Sequence, residues 1–63
     1  MTLRLRQLRE DRGMTQTFVA KKIGFPHVSN YHMIEKEKRR LDIITAKKLA
    51  ELFGVEIEDL FLN

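Results

Sequence analysis

The sequence predicts a single small all-α domain covering residues 1–63, and three observations support this. Apolar residues recur at three- and four-residue spacings in five short segments, and no stretch keeps the two-residue period of a strand. A chain of 63 residues suffices for one small core. The chain has no cysteine, so we expect neither disulfides nor a thiolate zinc site, and we expect a reducing, cytoplasmic environment.

Charge is distributed unevenly along the chain. Residues 1–48 contain all 12 lysines and arginines with five acids, a net charge of +7, whereas residues 49–63 contain four acids and no base. One end of the molecule therefore suits a polyanion such as nucleic acid, and the other end does not. No apolar run is long enough for a signal peptide or a membrane span, so we expect no membrane partner.

Two glycines delimit the first two helices. Helix 1 is predicted from about Thr2 to Arg12, followed by Gly13 as a stop signal. Helix 2 is predicted to begin after the N-cap Thr15 and to end at Gly24. The apolar positions of both helices fall at one-turn spacing and are assigned to the core: Leu5, Leu8, Val19, Ala20 and Ile23.

Two more helices are predicted in the last third of the chain. Helix 4 is expected to start after Asp42 and to stop at Gly54, and a final short helix is expected to follow it. The inward positions of these two helices are predicted from the same periodicity: Ile43, Ala46, Leu49, Ala50, Phe53, Ile57, Leu60 and Phe61.

Helix 3 presents two different faces when its residues are spaced at 100°. Tyr31 and Ile34 form the apolar pair that must face the core, with Pro26 or His27 in the first turn. A solvated helix face is normally filled with Glu, Lys and Gln. The outward face here instead has side chains that can hydrogen-bond base edges or contact a thymine methyl: Ser29, His32, Met33 and Lys36, flanked by Val28 and Asn30.

Three stretches cover nearly the whole chain: LRQLREDRGMTQTFVAKKIG, YHMIEKEKRR and DIITAKKLAELFGVEIEDLF. In these stretches the chain resembles the phage-repressor type of helix-turn-helix domain, the Cro and cI repressor-like or XRE family. The resemblance implies a compact five-helix lambda-repressor-like domain, with the helix-turn-helix formed by helices 2 and 3. It also implies a transcriptional regulator, a repressor that binds a palindromic double-stranded DNA operator as a homodimer with helix 3 in the major groove.

The resemblance implies roles for individual residues as well. Gln16, at the start of helix 2, matches a phosphate-anchoring position. Arg9 and Glu35 match an arginine–glutamate pair with a structural role. The remaining predicted DNA contacts lie on helix 3 and directly around it: His27, Val28, Ser29, Asn30, His32, Met33, Lys36, Lys38, Arg39 and Arg40.

The sequence departs from the family pattern in two places. One additional residue lies between the TQ of helix 2 and the IE of helix 3, and we place it in the turn around GFPH. Placing it in helix 3 instead would bury Asn30 and expose Tyr31. Glu37 occupies the position after helix 3 where glycine is common, so we expect a loop that is either differently shaped or slightly strained there.

Other chemistries fit the residues less well. His27 and His32 are the two imidazoles of the chain, and without cysteine or a convergent carboxylate they do not indicate a metal site. Ser29 and His32 have no orienting acid or closed pocket, so we expect no catalysis, cofactor or small-molecule ligand. Two alternatives to the repressor remain open. One is an antitoxin or other protein-interaction module whose main partner is a protein, with DNA binding secondary, and the other is a protein that binds nucleic acid through charge alone.

A homodimer requires an apolar contact on the outer surface of the helices. Ile44 lies on the outer side of helix 4, and Leu62 projects away from the core if Ile57, Leu60 and Phe61 face inward. We therefore predict that Ile44 and Leu62 form a small dimer patch, near the acidic end and away from the basic recognition surface.

Overall fold

The computed structural model describes residues 2–62, with the side chain of Leu62 left out. Within this range the chain forms four α-helices, one 3₁₀ helix and two short strands. In chain order these are β1 (Thr2–Leu3), α1 (Leu5–Asp11), α2 (Gln16–Lys22), α3 (Val28–Glu35), α4 (Ile43–Phe53), the 3₁₀ helix (Ile57–Leu60) and β2 (Phe61–Leu62). The two strands pair antiparallel, with Thr2 opposite Leu62 and Leu3 opposite Phe61.

The prediction of a five-helix domain is wrong, because residues 2–62 contain four α-helices. The segment after α4 forms a single 3₁₀ turn, in which the Glu56 N–H donates to the Asp59 carboxylate at 2.9 Å. Phe61 then becomes extended, with φ −112° and ψ 143°, and the strand that it begins pairs with β1. For the same reason α1 begins at Leu5 rather than at Thr2, since residues 2–3 belong to the strand pair.

The core is built from apolar residues of every helix. The stripe of α4 runs through Ala46, Leu49, Ala50 and Phe53, and it packs with Leu5, Leu8, Val19, Ala20, Ile23, Tyr31, Ile34 and Leu60. Ile43 was expected in this stripe, but its side chain is 60% exposed. It lies in the first turn of α4, where a side chain leans toward the N-terminus and passes beyond the end of the core. Thr45 is buried instead.

The predicted helix ends at Thr15, Asp42 and Gly54 are confirmed. The Thr15 hydroxyl accepts a hydrogen bond from the Phe18 N–H at 3.0 Å, and the Asp42 carboxylate accepts one from the Thr45 N–H at 2.7 Å. Gly54 ends α4 in the left-handed conformation with φ +71°, which glycine adopts without steric cost. In residues 2–62 no helix combines the length and apolar character that a bilayer crossing demands.

The turn between α2 and α3 contains residues 23–27. Gly24 takes φ +83°, and the Phe25 N–H donates to the Ala20 carbonyl at 2.8 Å, which closes the end of α2. Helix α3 begins at Val28 with His27 as its N-cap residue. Pro26 and His27 therefore precede the helix, and the prediction that one of them lies in its first turn is corrected. Proline disfavours helical backbone at the residue before it, which keeps Phe25 out of a helix.

Candidate nucleic-acid interface

Helix α3 separates a core face from an outward face. Tyr31 and Ile34 are fully buried, as their spacing predicts. Their burial turns the other side of the helix toward solvent, where the side chains of Ser29, Met33 and Lys36 are exposed. The remaining predicted contact residues of this region differ in exposure: His27 and Val28 are exposed, whereas Asn30 and His32 are half-buried.

A basic segment follows α3 directly. The side chains of Lys36, Lys38, Arg39 and Arg40 are all exposed. The Arg39 guanidinium lies over the ring of Phe25, 5.6 Å from its centroid. This cation–π contact holds Arg39 against the turn that precedes α3. The Arg39 charge is therefore held beside the turn that precedes α3 rather than extending away from it.

Glu37 interrupts the basic segment with an unusual backbone conformation. Its φ is +58°, a region in which a side chain crowds its own backbone and costs about 1–2 kcal/mol. The conformation allows the Lys38 N–H to donate to the Met33 carbonyl at 2.8 Å, which closes the end of α3. This is the local strain expected from a glutamate at a position where glycine is common.

Arg9 and Glu35 form an ion pair between α1 and the end of α3. Arg9 Nε donates to Glu35 Oε2 at 2.7 Å, and Arg9 Nη2 donates to Glu35 Oε1 at 3.3 Å. The third guanidinium nitrogen, Nη1, donates to the Met14 carbonyl at 2.9 Å. The two side chains are 12% and 4% exposed, so the pair is largely shielded from water. This geometry gives Arg9 and Glu35 a structural position behind the outward face of α3.

The electrostatic surroundings keep both members of this pair charged. Burial raises the pKa of the Glu35 carboxyl, but hydrogen bonds from Arg9 and its other neighbours, together with the Arg9 charge, outweigh burial and lower the pKa overall. The hydrogen bond to Glu35 raises the pKa of Arg9. Loss of either partner would leave a poorly solvated charge.

Two predicted DNA-contacting residues are joined to this ion pair. Gln16 Nε2 donates to Glu35 Oε1 at 2.9 Å, and His32 Nδ1 lies 3.1 Å from Gln16 Oε1. Arg9, Glu35, Gln16 and His32 thus form one polar chain across α1, α2 and α3. Sequence reasoning assigned Gln16 and His32 to separate roles and missed the connection. No local pattern could have revealed it, because the two residues are 16 positions apart.

The Tyr31 hydroxyl lies buried beside the same ion pair. It has no hydrogen bond of good geometry to any described residue. Burial raises the pKa of Tyr31 far above its ordinary range, and the nearby Glu35 carboxylate raises it further. Tyr31 therefore stays neutral and contributes mainly its ring to the core.

Part of the predicted dimer patch can be located in the described residues. Ile43 and Ile44 are adjacent at the start of α4 and are 60% and 66% exposed, respectively. The other residue of the predicted dimer patch, Leu62, has a side chain outside the described part of the structure. Among residues 2–62, no three His, Cys, Asp or Glu side chains converge as a metal site would require.

Arg12 is a structural residue that sequence reasoning missed. Its Nε donates to the Phe53 carbonyl at 2.8 Å, and its Nη1 donates to the Leu8 carbonyl at 2.9 Å. Arg12 therefore joins the end of α1 to the end of α4, and part of the positive charge of residues 1–48 is used within the fold. The carbonyl of Phe53 is available because it lies in the last turn of α4, where no following turn bonds it.

Comparison with known proteins gives the same family at the levels of sequence and structure. Residues 5–60 match the family described as Helix-turn-helix. An uncharacterized HTH-type transcriptional regulator from Archaeoglobus fulgidus is 39% identical over 62 residues, which are 98% of this chain and 87% of that protein. The restriction-modification controller protein C.AhdI from Aeromonas hydrophila superposes with a TM-score of 0.84 and 31% identity, over 92% of this chain and 86% of that one. The chain therefore belongs to the phage-repressor (XRE) type of helix-turn-helix proteins and is a DNA-binding transcriptional regulator.

Proposed function

We propose that this protein is a repressor that binds a palindromic operator as a homodimer, with α3 as the helix that enters the major groove. The observation that carries the proposal is the outward face of α3, where Ser29 and Met33 are exposed on a helix anchored by Tyr31 and Ile34. A serine hydroxyl can hydrogen-bond any base edge, and an apolar side chain can contact the thymine methyl.

Phosphate contacts are assigned to the basic segment and to Gln16. Lys36, Lys38, Arg39 and Arg40 are exposed and follow the reading helix directly. The Gln16 amide uses one N–H on Glu35, so its second N–H is free to donate to a phosphate oxygen. Such contacts fix the register of a protein on the duplex without specifying sequence. His27, Val28 and Asn30 are assigned to the edge of this contact surface.

The homodimer follows from the size of the reading surface. One helix reads a few base pairs, and regulators of this kind gain specificity by placing two helices about 34 Å apart on one side of the duplex. The described chain extends over 29 × 23 × 19 Å, so one copy does not span this separation and a second copy would supply the second helix. Ile44, with the adjacent Ile43, offers an exposed apolar surface for the contact, and Leu62 is proposed to extend it.

Selection of bound sequences from a random double-stranded DNA pool tests the repressor proposal. We expect the selected site to be two-fold symmetric. We also expect the affinity for this site to fall about 10³- to 10⁵-fold between 50 and 200 mM salt, because about 6–10 phosphate contacts release counterions. Ser29→Ala should change the selected bases, whereas Thr2→Ala, an exposed change in β1, should not. Binding that is salt-dependent but equal for all sequences would instead support binding through charge alone. No affinity for any DNA would contradict the proposal.

Analytical ultracentrifugation with and without the selected DNA tests the dimer. The double variant Ile44→Glu, Leu62→Glu should shift the protein toward monomer and reduce binding to the full palindrome. Phe18→Glu is the matched control, since it replaces another exposed apolar side chain on a different helix. Wild-type protein that binds the palindrome as a monomer, or a double variant that dimerises normally, would show that the proposed interface is incorrect.

A further inference from the structure

The polar chain behind α3 has a fixed hydrogen-bond direction at every step. The Arg9 guanidinium can donate but cannot accept, and the ionised Glu35 carboxylate can accept but cannot donate. The group of Gln16 that faces Glu35 Oε1 at 2.9 Å must therefore be its NH₂. The amide oxygen of Gln16 then points to His32 Nδ1, 3.1 Å away. An amide oxygen is an acceptor, so the hydrogen between these two atoms belongs to His32 Nδ1.

The reversed amide orientation is excluded by electrostatics. Turning the Gln16 side chain would place its oxygen 2.9 Å from a carboxylate oxygen, with two acceptors facing each other. Glu35 cannot relieve this repulsion by taking up a proton, because its hydrogen-bonded ion pair with Arg9 keeps it ionised. The orientation of the Gln16 amide is thus set by the ion pair and not by DNA.

The other ring nitrogen of His32 is open to a ligand. His32 Nε2 makes no hydrogen bond to a described residue. Among residues 2–62, the Tyr31 hydroxyl is the one polar side-chain atom that is both buried and unpaired. His32 Nε2 is unpaired but not buried, so solvent reaches it. A neutral imidazole with its hydrogen on Nδ1 has a lone pair on Nε2. His32 therefore presents an acceptor, and not a donor, on the side away from Gln16.

We propose that Gln16 is a positioning residue that holds His32 in its Nδ1–H form, so that His32 Nε2 accepts a hydrogen bond from the exocyclic amino group of adenine or cytosine. This inference rests on the proposed function, because it requires α3 in the major groove. There adenine N6 and cytosine N4 are the donors, whereas guanine N7 and O6 and thymine O4 are acceptors. An acceptor at Nε2 favours the first two bases and disfavours the other two.

Protonation would reverse this preference, since an imidazolium donates from both nitrogens. The charged groups around the His32 pocket are Arg6, Arg9 and Glu10 from α1 and Glu35 and Lys36 from α3, while α2 contributes the uncharged Gln16. Both experiments are therefore done at about pH 8, and the imidazole ¹⁵N signals show directly whether the ring is neutral.

The first experiment is ¹⁵N NMR of the imidazole nitrogens in the DNA-free protein. We expect His32 to show a protonated Nδ1 and an unprotonated Nε2. His27 is an internal control in the same sample, since it is exposed and makes no side-chain hydrogen bond to the described residues. Gln16→Met and Gln16→Ala should move His32 toward the Nε2–H form, whereas Thr17→Ala, an exposed change on α2, should leave it unchanged. His32 in the Nε2–H form in the wild-type protein would overturn the inference without any variant.

The second experiment uses the DNA site recovered from the random pool. Single adenines are replaced by purine and single cytosines by 2-pyrimidinone, each of which lacks the exocyclic amino group. At one position in each half-site, loss of the amino group should weaken binding by the wild-type protein about tenfold, near the lower end for a specific base contact. The same replacement should not change DNA binding by the His32→Ala variant. A selected site with no such position would overturn the inference and leave the proposed function standing. If no site is selected, the proposed function fails, while the NMR result still decides the form of His32.

Discussion

Helices α3 and α4 differ in how far each is stabilised by its own sequence. Helix α4 has eleven residues, an N-cap Asp42 whose carboxylate accepts a hydrogen bond from the Thr45 N–H, a left-handed Gly54 at its end and five buried residues. Helix α3 has eight residues and two buried ones, and His27 makes no capping hydrogen bond within the described chain. It is followed by Glu37 in a strained conformation. Helix α4 satisfies the local rules of helix formation, and α3 breaks several of them.

The difference indicates what each helix is for. A helix that serves the core can use every position for propensity, capping and packing. Helix α3 gives its outward face to Ser29, Met33 and Lys36, none of which packs in the core, so its position depends on contacts with other helices. Those contacts are the burial of Tyr31 and Ile34 and the ion pair of Glu35 with Arg9. Departures of this kind are expected where a surface is used for function.

The largest effect is expected from the core face of α4. Phe53→Ala removes a side chain that is 3% exposed and should lower the free energy of unfolding by about 3–5 kcal/mol. A domain of this size is stable by about 3–9 kcal/mol, so urea denaturation should show a large fall in the unfolding midpoint or, at the low end of that range, no folded baseline. Met33→Ala, on the outward face of α3, should change stability by less than about 0.5 kcal/mol. Comparable losses of stability in the two variants would show that the core face of α4 and the outward face of α3 do not differ in their contribution to folding.

The next effect concerns the ion pair that anchors α3. Glu35→Ala leaves Arg9 without its partner at 12% exposure and should cost about 3 kcal/mol of stability. The double variant Arg9→Met, Glu35→Leu removes both charges and should recover much of that loss, which separates the unpaired charge from lost packing. Chemical denaturation of the single and double variants measures both effects. A Glu35→Ala protein as stable as wild type would show that α3 does not depend on this contact.

Acid should weaken both helices through named carboxyl groups. The Thr45 backbone N–H lowers the pKa of Asp42. Burial raises the pKa of Glu35, but hydrogen bonds from Arg9 and its other neighbours, together with the Arg9 charge, lower it overall. A carboxyl whose pKa is lower in the folded state contributes stability above its unfolded pKa, about 3.9 for Asp and 4.3 for Glu, and that stability is lost as pH falls further. Melting temperatures should therefore decrease below about pH 4.

Two variants separate the carboxyl groups in that acid range. Asp42→Asn keeps an N-cap acceptor but does not titrate. It should therefore remove the part of the acid-induced fall in melting temperature that comes from Asp42 and leave the part that comes from Glu35. Glu35→Gln should remove the part of that fall that comes from Glu35 at the end of α3. Thermal melts from pH 7 to pH 2.5 measure both. An unchanged acid profile in both variants would assign the acid sensitivity to other groups.

The smallest effect is expected at the end of α3. Glu37→Gly removes the side chain from a backbone with φ +58°, and relief of about 1–2 kcal/mol of strain exceeds the added chain entropy of glycine. The net gain should be about 0.5 kcal/mol, seen as a slightly higher melting temperature. Lys36→Gly is the matched control, because Lys36 has φ −83° and carries no such strain. It should not stabilise the protein, and equal gains in both variants would argue against strain at Glu37.

The sequence by itself determined the features that depend on neighbouring residues. Thr15, Asp42 and Gly54 act within one turn of their own positions, so their roles as helix ends could be predicted. The inward pair Tyr31 and Ile34 followed from helical spacing alone. The family could also be identified from sequence, since its pattern extends along nearly the whole chain.

Tertiary structure decided the features that depend on distant partners. The segment after α4 is a 3₁₀ turn and a strand because residues 2–3 pair with it, and the exposure of Ile43 depends on where the core ends. The state of His32 depends on Gln16, and through Gln16 on Glu35 and Arg9, and these three residues lie on three different helices. Periodicity specifies which side of a helix faces inward. Which atom donates and which accepts in a side-chain hydrogen bond depends on partners that are distant in sequence, and only the folded chain brings those side chains together.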